Sequence, residues 1–458
     1  LLSLTDKNGH MPTYTYDVRG NMIRETLADG AYRTWSYDAV GNKTAETDTN
    51  GYTTSFIYDA NHNPVQIIDK EGNATNYVYD SMNRQVSSTS PLGYQEVYTY
   101  DLDGHITSQS VNGRVIETYV YGNCIEEIVN RLMTTYAYDA YDKRLEKCDP
   151  YGLITTYTYD EYHRLLKTHV NHVCSSSLTY DVYDNVLSET DLYGETQINQ
   201  YDADLNLIVS THHHLTTTYA YDLLNRKIKE EDSLGNCKEI IYDANSNIIE
   251  EKVNGQSSYY AYDADHHLIK ETDTLGGLTE HYYDHEGNLL STKDANNHLT
   301  TYTYNKNGLL LATAVNGVVL SSRKYNEDSL LIKETDGEGY FEQYGYDAFR
   351  KRIQVVDKRG YLTEYTYDEY FNLLSTTNPL GYQVTNIYNE RNQLIETRDA
   401  QNNVYTYAYD VFNNRIKMTN PLKAEYCYTY NALNQLEATM DERGLQTSYT
   451  YNSFNDIL

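Results

Sequence analysis

One aromatic residue recurs at an almost constant interval along the whole chain, and that interval limits what the chain can fold into. Tyrosines followed by Asp or Asn stand at Tyr16, Tyr37, Tyr58, Tyr79 and Tyr100. They continue at Tyr138, Tyr159, Tyr180, Tyr201, Tyr221, Tyr242, Tyr262, Tyr283, Tyr304, Tyr325, Tyr346, Tyr367, Tyr388, Tyr409, Tyr430 and Tyr451. Tyr121, followed by Gly122, fills the single gap, giving 22 anchors over 458 residues. Of the 21 intervals, 18 are 21 residues long, two are 20 and one is 17. Two places before the anchor lies a second aromatic slot, Tyr in 14 copies and Trp35 and Phe56 in two more. The two slots hold 36 of the 52 tyrosines. Self-similarity at a short fixed period is the mark of a repeat architecture whose units stack on their neighbours.

A single copy shows the physics. Tyr365-Thr366-Tyr367 places two rings at i and i+2, on one face of a strand, around a β-branched residue. Asp368 to Asn372 then reads as a turn, and sister copies read Asp38-Ala39-Val40-Gly41-Asn42 and Asp284-His285-Glu286-Gly287-Asn288. Asp bonds forward to the turn backbone, and Gly or Asn four places after the anchor tolerates the left-handed residue that closes a type I turn plus bulge. That assigns Asp17, Asp38, Asp160 and Asp243 as turn formers. A second strand follows, such as 373–377, and then a second turn, Asn378-Pro379-Leu380-Gly381 or Asp149-Pro150-Tyr151-Gly152. Asp or Asn first, Pro second and Gly fourth is the type I preference, so Gly152 and Gly381 are read as turn formers too. Four of the six prolines, Pro91, Pro150, Pro379 and Pro421, occupy this slot. Asn112-Gly113, Asn254-Gly255 and Asn316-Gly317 replace it elsewhere with a two-residue hairpin signal. The 17-residue step from Tyr121 to Tyr138 drops an even number of residues and keeps the two faces in phase. A tight turn such as Asn254-Gly255 absorbs the residue lost in a 20-residue step. No segment carries a helical period over a dozen residues. The fold class is therefore all-β: tandem repeats of about 21 residues, each a two-stranded hairpin, joined into one long antiparallel sheet.

Composition narrows the function. Apolar residues are 40% of the chain only because Tyr is counted among them. Without it the share is about 29%, so any core must be built from Tyr rings whose hydroxyls need partners. A net charge of −30 argues against wholesale nucleic-acid or anionic-membrane binding. No apolar run reaches the ~18 residues of a membrane span. High aromatic content argues against disorder.

The pattern Y-x-Y-D-x-x-G-R/N-L, closing with D-x-x-G about ten residues on, resembles the RHS/YD repeat. Tyr14-Thr15-Tyr16-Asp17-Val18-Arg19-Gly20-Asn21 and Tyr157-Thr158-Tyr159-Asp160-Glu161-Tyr162-His163-Arg164-Leu165 carry it. The resemblance implies a long antiparallel sheet spiralling into a hollow shell. Such shells occur in bacterial RHS polymorphic toxins and insecticidal toxin complexes, enclosing a C-terminal toxin, and in animal teneurins, as part of a cell-surface adhesion receptor. It also implies a secreted or cell-surface location. RHS toxins end their shell with a core segment containing D-P-x-G elements and self-cleavage aspartates. Asp149-Pro150-Tyr151-Gly152 fits the string but sits in an ordinary repeat turn. Residues 1 and 458 both cut through a repeat, so residues 1–458 read as one continuous repeat array and as a fragment of a longer protein. Two strands per copy give about 44 strands and a strip about 210 Å long, a band of shell rather than a closed capsule.

Candidates for chemistry are few. An Asp repeated 16 times after the anchor is read as a turn former rather than an acid ladder. Asp101-Leu102-Asp103-Gly104 has a faint likeness to a calcium loop but lacks the other ligands and the distal Glu. His212-His213-His214 falls at a second turn, where adjacent residues do not converge on one ion, and reads as exposed polar loop. Cys124, Cys148, Cys174, Cys237 and Cys427 occupy five different repeat positions without a C-x-x-C pair, so neither a disulfide framework nor a zinc site is expected. Asn199, His281, Arg323 and Asn386 replace the second aromatic, read as drift in a redundant array. No catalytic, cofactor-binding or metal-binding residue is assigned. Three classes of function remain: a passive shell around a C-terminal toxin or cargo outside this chain, a surface adhesion or carbohydrate-binding module with surface glycans as partner, and, last, an enzyme. If its ring is fully buried, an anchor such as Tyr367 is expected to cost about 3–5 kcal/mol on replacement by Ala.

Overall fold

The computed structural model describes residues 11–27, 29–120, 126–129, 131–431 and 435–451, with side chains not described at 116–120 and 126. Every regular element among them is a strand of three to eight residues, 43 in all, close to the number the repeat count gives. They form one hydrogen-bonded sheet in which consecutive strands pair antiparallel. The first hairpin pairs β1 (Thr13–Tyr16) with β2 (Met22–Thr26), and the next pairs β3 (Tyr32–Tyr37) with β4 (Lys43–Thr47). Each anchor from Tyr16 to Tyr430, Tyr121 excepted, is the last residue of its strand. Tyr121, Gly122 and Cys124, with the rest of 121–125 in the 17-residue step, lie outside the described residues, as do both chain ends.

At the anchors the register slips by one: Thr15 faces Arg24, but Tyr16 faces Met22. The same shift recurs at Tyr159, Tyr283 and Tyr409. This is the turn-plus-bulge geometry expected of the D-x-x-G-N string. The residue four places after the anchor is left-handed whatever its identity: Gly20 (φ 88), Asn83 (φ 62), His163 (φ 63), Leu205 (φ 66) and Phe371 (φ 65). The second turns close in the same way, with Gly152 at φ 93 and Gly381 at φ 80. Asn112-Gly113, Asn254-Gly255 and Asn316-Gly317 have both residues left-handed, and so do Asn171-His172 and His213-His214.

These two-residue turns explain the irregular spacing. Both 20-residue steps contain one, at His213-His214 and Asn254-Gly255, and the flanking strands pair without a slip. At Asn112-Gly113, Asn171-His172 and Asn316-Gly317 the strands carry an extra bulge that restores the lost residue. A shortened turn therefore shortens the repeat only when no bulge compensates.

Burial is shallow. Among the described residues only Val111, Ile240 and Ala438 are buried hydrophobics, and no large side chain is fully buried. Anchor strands alternate, as in Leu362–Tyr367, where Tyr365 and Tyr367 are half-buried and Thr366 is exposed. Tyr367 is thus not fully buried, and the replacement cost conditional on full burial does not apply to it.

By its contacts the chain divides into two compact units. One comprises 1–97, 219–351 and 356–360; the other comprises 98–218, 352–355 and 361–458. Each unit contains an earlier and a later stretch of repeats lying alongside one another. In the first, Glu286 accepts from the Thr49 amide at 2.8 Å, Asn307 donates to Asp69 at 2.7 Å, and Asp328 accepts from the Ser90 hydroxyl at 2.8 Å. In the second, Tyr151 Oη donates to the Arg391 carbonyl at 3.4 Å and Gln435 donates to Tyr193 at 2.7 Å. These partners are 237 to 242 residues apart, about eleven repeats.

Candidate functional site

The chemistry-bearing groups of the repeat turn inward on the sheet itself. Tyr37 Oη donates to the Met22 carbonyl at 2.9 Å, and Met22 is the residue facing Tyr16 across the preceding hairpin. Tyr58 does the same to Lys43, which faces Tyr37. The same bond recurs along the chain, at a majority of the described anchors, from the hydroxyl to the carbonyl 15 residues back. Fourteen such bonds, of 2.7 to 3.3 Å, run from Tyr37, Tyr58, Tyr159, Tyr180, Tyr201, Tyr242, Tyr304, Tyr325, Tyr346, Tyr367, Tyr388, Tyr409, Tyr430 and Tyr451. The anchors therefore form a chain of tethers with one direction and one register. Burial of the ring pushes the hydroxyls of Tyr37, Tyr79, Tyr159, Tyr180, Tyr262, Tyr283 and Tyr304 above their ordinary pKa, which in the tethered Tyr37, Tyr159, Tyr180 and Tyr304 keeps the donor proton in place. Tyr16, Tyr100, Tyr138 and Tyr221 occupy the same strand-end position.

The carboxylate after the anchor is equally committed. Asp17 Oδ1 accepts from the amides of Arg19 and Asn21 at 2.9 Å each, and Oδ2 from the Asn21 side chain at 2.9 Å. The Asn21 side-chain bond, ahead of the backbone bonds, holds Asp17 below its ordinary pKa. Asp38, Asp160 and Asp243 accept in the same pattern, Asp160 with Arg164 in place of Asn. An Asx turn of this kind occupies both oxygens and leaves neither for proton transfer.

The four polar exceptions to the aromatic slot bond within the sheet. The Asn199 and Asn386 amides donate to the Val186 and Leu373 carbonyls, the same ones that receive the Tyr201 and Tyr388 hydroxyls. His281 bonds the Thr292 hydroxyl, and Arg323 pairs with Glu334 across the strands at 2.8 Å. Arg323 lines a pocket beside Glu71, Lys324 and Glu327, with its guanidinium already held by Glu334.

The metal candidates separate cleanly. His213 and His214 are the left-handed pair of a hairpin turn, His212 ends the strand before it, and His213 packs edge-on against His212 at 4.0 Å. His214 is exposed while His212 and His213 are half-buried, so the loop is less exposed than its sequence suggests. Asp101, Asp103 and His105 do bring one ligand atom each within 4.8 Å of the others. Asp101, however, bonds Asp103 and His105 as every other anchor Asp bonds its turn. Cys148, Cys174, Cys237 and Cys427 are free thiols. In the first unit a polar cavity of about 510 Å³ is lined by Asp48, Lys70, Asp284, Glu286 and Lys306. Two of its charged pairs are internal: Lys70 pairs with Asp48 at 2.6 Å, and Glu286 with Arg33 at 3.2 Å. Burial pushes the Glu286 carboxyl up, but the Thr49 hydroxyl and amide and the Arg33 guanidinium together hold it below its ordinary value.

Comparison with known proteins returns the same register. The RHS Repeat family model matches residues 16–54, 37–74, 58–95 and 388–425, and the Teneurin YD-shell model matches 235–405. No curated protein matches the sequence. Among solved structures, the crystal structure of TcdB2-TccC3-TEV is similar over 97% of this chain, with a TM-score of 0.67 and 13% identity. That of TcdB2-TccC3 without its hypervariable C-terminal region is similar over 98%, with a TM-score of 0.63 and 13% identity. The Tc holotoxin pore of Photorhabdus luminescens is similar over 98%, with a TM-score of 0.57 and 14% identity. The chain spans 32% of the length of the first two and 27% of the third. The fold is that of the YD shell, and the two family models place residues 16–95 and 235–425 among the RHS/YD repeats.

Proposed function

We propose that this chain is a stretch of passive wall in an RHS-type secreted protein, which encloses or presents a C-terminal toxin or cargo domain lying outside it. The observation that carries the reading is the tether chain: the groups repeated most often, the anchor hydroxyl and the Asp after it, are used up in holding the sheet. On this reading Tyr16 to Tyr451 are structural anchors, Asp17, Asp38, Asp160, Asp243, Gly152 and Gly381 are turn formers, and residues 1–458 are one continuous repeat array. The wall needs no cofactor, carries no catalytic group of its own, and acts by confinement. Its likeness to the toxin-complex shells supports this. Among the described residues no helix is long and apolar enough to cross a membrane, and secretion enters here as part of the proposal. The test is to express the complete reading frame and treat it with a broad protease. A downstream segment that survives while the wall is intact, and is digested once the wall is denatured, supports enclosure. Immediate digestion of that segment from an intact wall contradicts it.

The Teneurin YD-shell match over 235–405 favours a second reading, a cell-surface adhesion or carbohydrate-binding module. Micromolar binding on a glycan array by this chain would support it, and an array without signal would remove it.

A further inference from the structure

Along the first unit, consecutive second turns of the earlier stretch dock on consecutive anchor turns of the later one, and the direction of the hydrogen bonds alternates. At the first docking Thr49 donates its amide to Glu286 at 2.8 Å, and Asn50 its side-chain amide to Asp284 at 2.8 Å. At the second the roles reverse. Asp69 accepts from the Asn307 side chain at 2.7 Å, and Glu71 from the Lys306 amide at 2.8 Å. At the third they return, with the Ser90 hydroxyl and the Leu92 amide donating to Asp328 at 2.8 and 3.0 Å. The earlier turns thus read donor, acceptor, donor, and the later ones acceptor, donor, acceptor. The acidic turn Asp69-Lys70-Glu71-Gly72 meets the later turn whose third slot after the anchor is the neutral Asn307, flanked one repeat away on either side by Glu286 and Asp328.

Curvature brings the two stretches together, but the backbone does not tell one turn from the next. Each hairpin is two strands wide, so a slip of one hairpin, about 9.6 Å, brings turns of the same geometry face to face. The side chains do tell them apart. A slip in one direction sets the Asp69 turn against Asp328, and in the other direction against Glu286. Either way carboxylate meets carboxylate. The Asp328 side chain is only 3% exposed, where a second negative charge is poorly screened. The nearby cations are engaged in the observed register. Lys70 is held by Asp48 at 2.6 Å, Arg33 pairs with Glu286 at 3.2 Å, and Arg350 pairs with Asp328 while lying over the Tyr94 ring at 3.9 Å. Burial pushes the Asp69 carboxyl up, but the Asn73 amide and the Asn307 side chain hold it below its ordinary value, so it docks charged.

We infer that these turns form a register lock, in which the charge of Asp69 and Glu71 accepts the neutral Asn307 turn and rejects the acidic turns one hairpin to either side. Specificity then comes from the repulsion built into the wrong pairings as well as from the bonds of the right one. The lock acts between parts of one unit, and it holds whether the wall confines a cargo or meets a glycan.

Asn307 is the position that tests it. Asn307→Ala removes the donor alone, whereas Asn307→Asp also presents the charge that a slipped register would present. Amide exchange at 69–73 and 305–309, followed by mass spectrometry, should rise in both variants and about tenfold more in Asn307→Asp than in Asn307→Ala. Asp69→Asn combined with Asn307→Asp reverses donor and acceptor and should return exchange close to that of the unaltered chain. The turn tolerates this change, since Asn378 fills the same slot and accepts from the Leu380 and Tyr382 amides as Asp69 does from those of Glu71 and Asn73. Far-UV circular dichroism checks that each variant keeps the sheet. Equal exchange in the Ala and Asp variants, or a reversed pair no better protected than Asn307→Asp alone, would overturn the inference.

Discussion

An anchor tyrosine does two things with one side chain. Its ring covers one face of the sheet, and its hydroxyl closes a backbone carbonyl at the start of the adjacent strand. Phe supplies only the first, which accounts for 52 tyrosines against 6 phenylalanines in a chain with little aliphatic core. The tether is expected to be worth about 0.5–1.5 kcal/mol, the usual net value of such a bond. Tyr346→Phe, which removes only the donor to Leu331 at 2.8 Å, should lower stability by that amount in chemical denaturation. Tyr346→Ala should cost more but stay below the ~3 kcal/mol of a fully buried ring, since this one is half-buried. The titrating groups set limits on both sides of neutrality. Carboxylates such as Asp17, Asp59 and Asp80 are held below their ordinary pKa by turn bonds, so the folded state binds fewer protons than the unfolded one near pH 4. Their contribution is full above about pH 4 and is lost as the pH falls through the lowered values. Hydroxyls such as Tyr37, Tyr180 and Tyr409 are pushed up by burial, so their contribution is full below about pH 10 and lost above it. Thermal melts across pH should show a broad plateau with an acid and an alkaline fall.

At the level of the hairpin, much was legible in the sequence because turns are local. Asp17, Gly20 and Asn21 announce their roles by chemistry, and Asn254-Gly255 announces a hairpin. His213-His214 and Asn171-His172 did not, since histidine carries no strong turn preference, yet both adopt the left-handed pair. The compensating bulges at Asn112-Gly113 and Asn316-Gly317 were hidden as well, because a tight turn plus a bulge has the same length as an ordinary repeat. Repetition also forces residues into conformations they dislike. Leu205 sits at φ 66 in the slot that Gly20 and Gly41 fill freely. A left-handed β-carbon costs about 1–2 kcal/mol, so Leu205→Gly should raise the denaturation midpoint despite the looser unfolded chain. Phe371 at φ 65 is a less clear gain, because its ring receives Arg114 at 4.5 Å. Phe371→Gly should be close to neutral in the same measurement.

At the level of the whole molecule, the bonds between earlier and later stretches were invisible in the sequence. They join residues some 237 apart, a distance set by how the sheet curves and not by any motif. Glu286 shows what such a site demands: it serves Thr49 and Arg33 at once, while its counterpart Val40 serves neither. Glu286→Ala should cost about 1–3 kcal/mol by leaving those donors unpaired. It should raise amide exchange at 48–51 and 284–288, and Glu286→Gln, which still accepts from Thr49, should do less. The tether chain itself is tested most directly by ultraviolet titration of the tyrosines, followed together with the strand signal in circular dichroism. If hydroxyls hold the wall, the tyrosines divide into an early class and a late class, the late one including the tethered and raised Tyr37, Tyr159, Tyr180, Tyr304, Tyr388, Tyr409 and Tyr430, which ionises only as the sheet unfolds. A single transition near pH 10 in which every tyrosine ionises while the strand signal stays unchanged would contradict it.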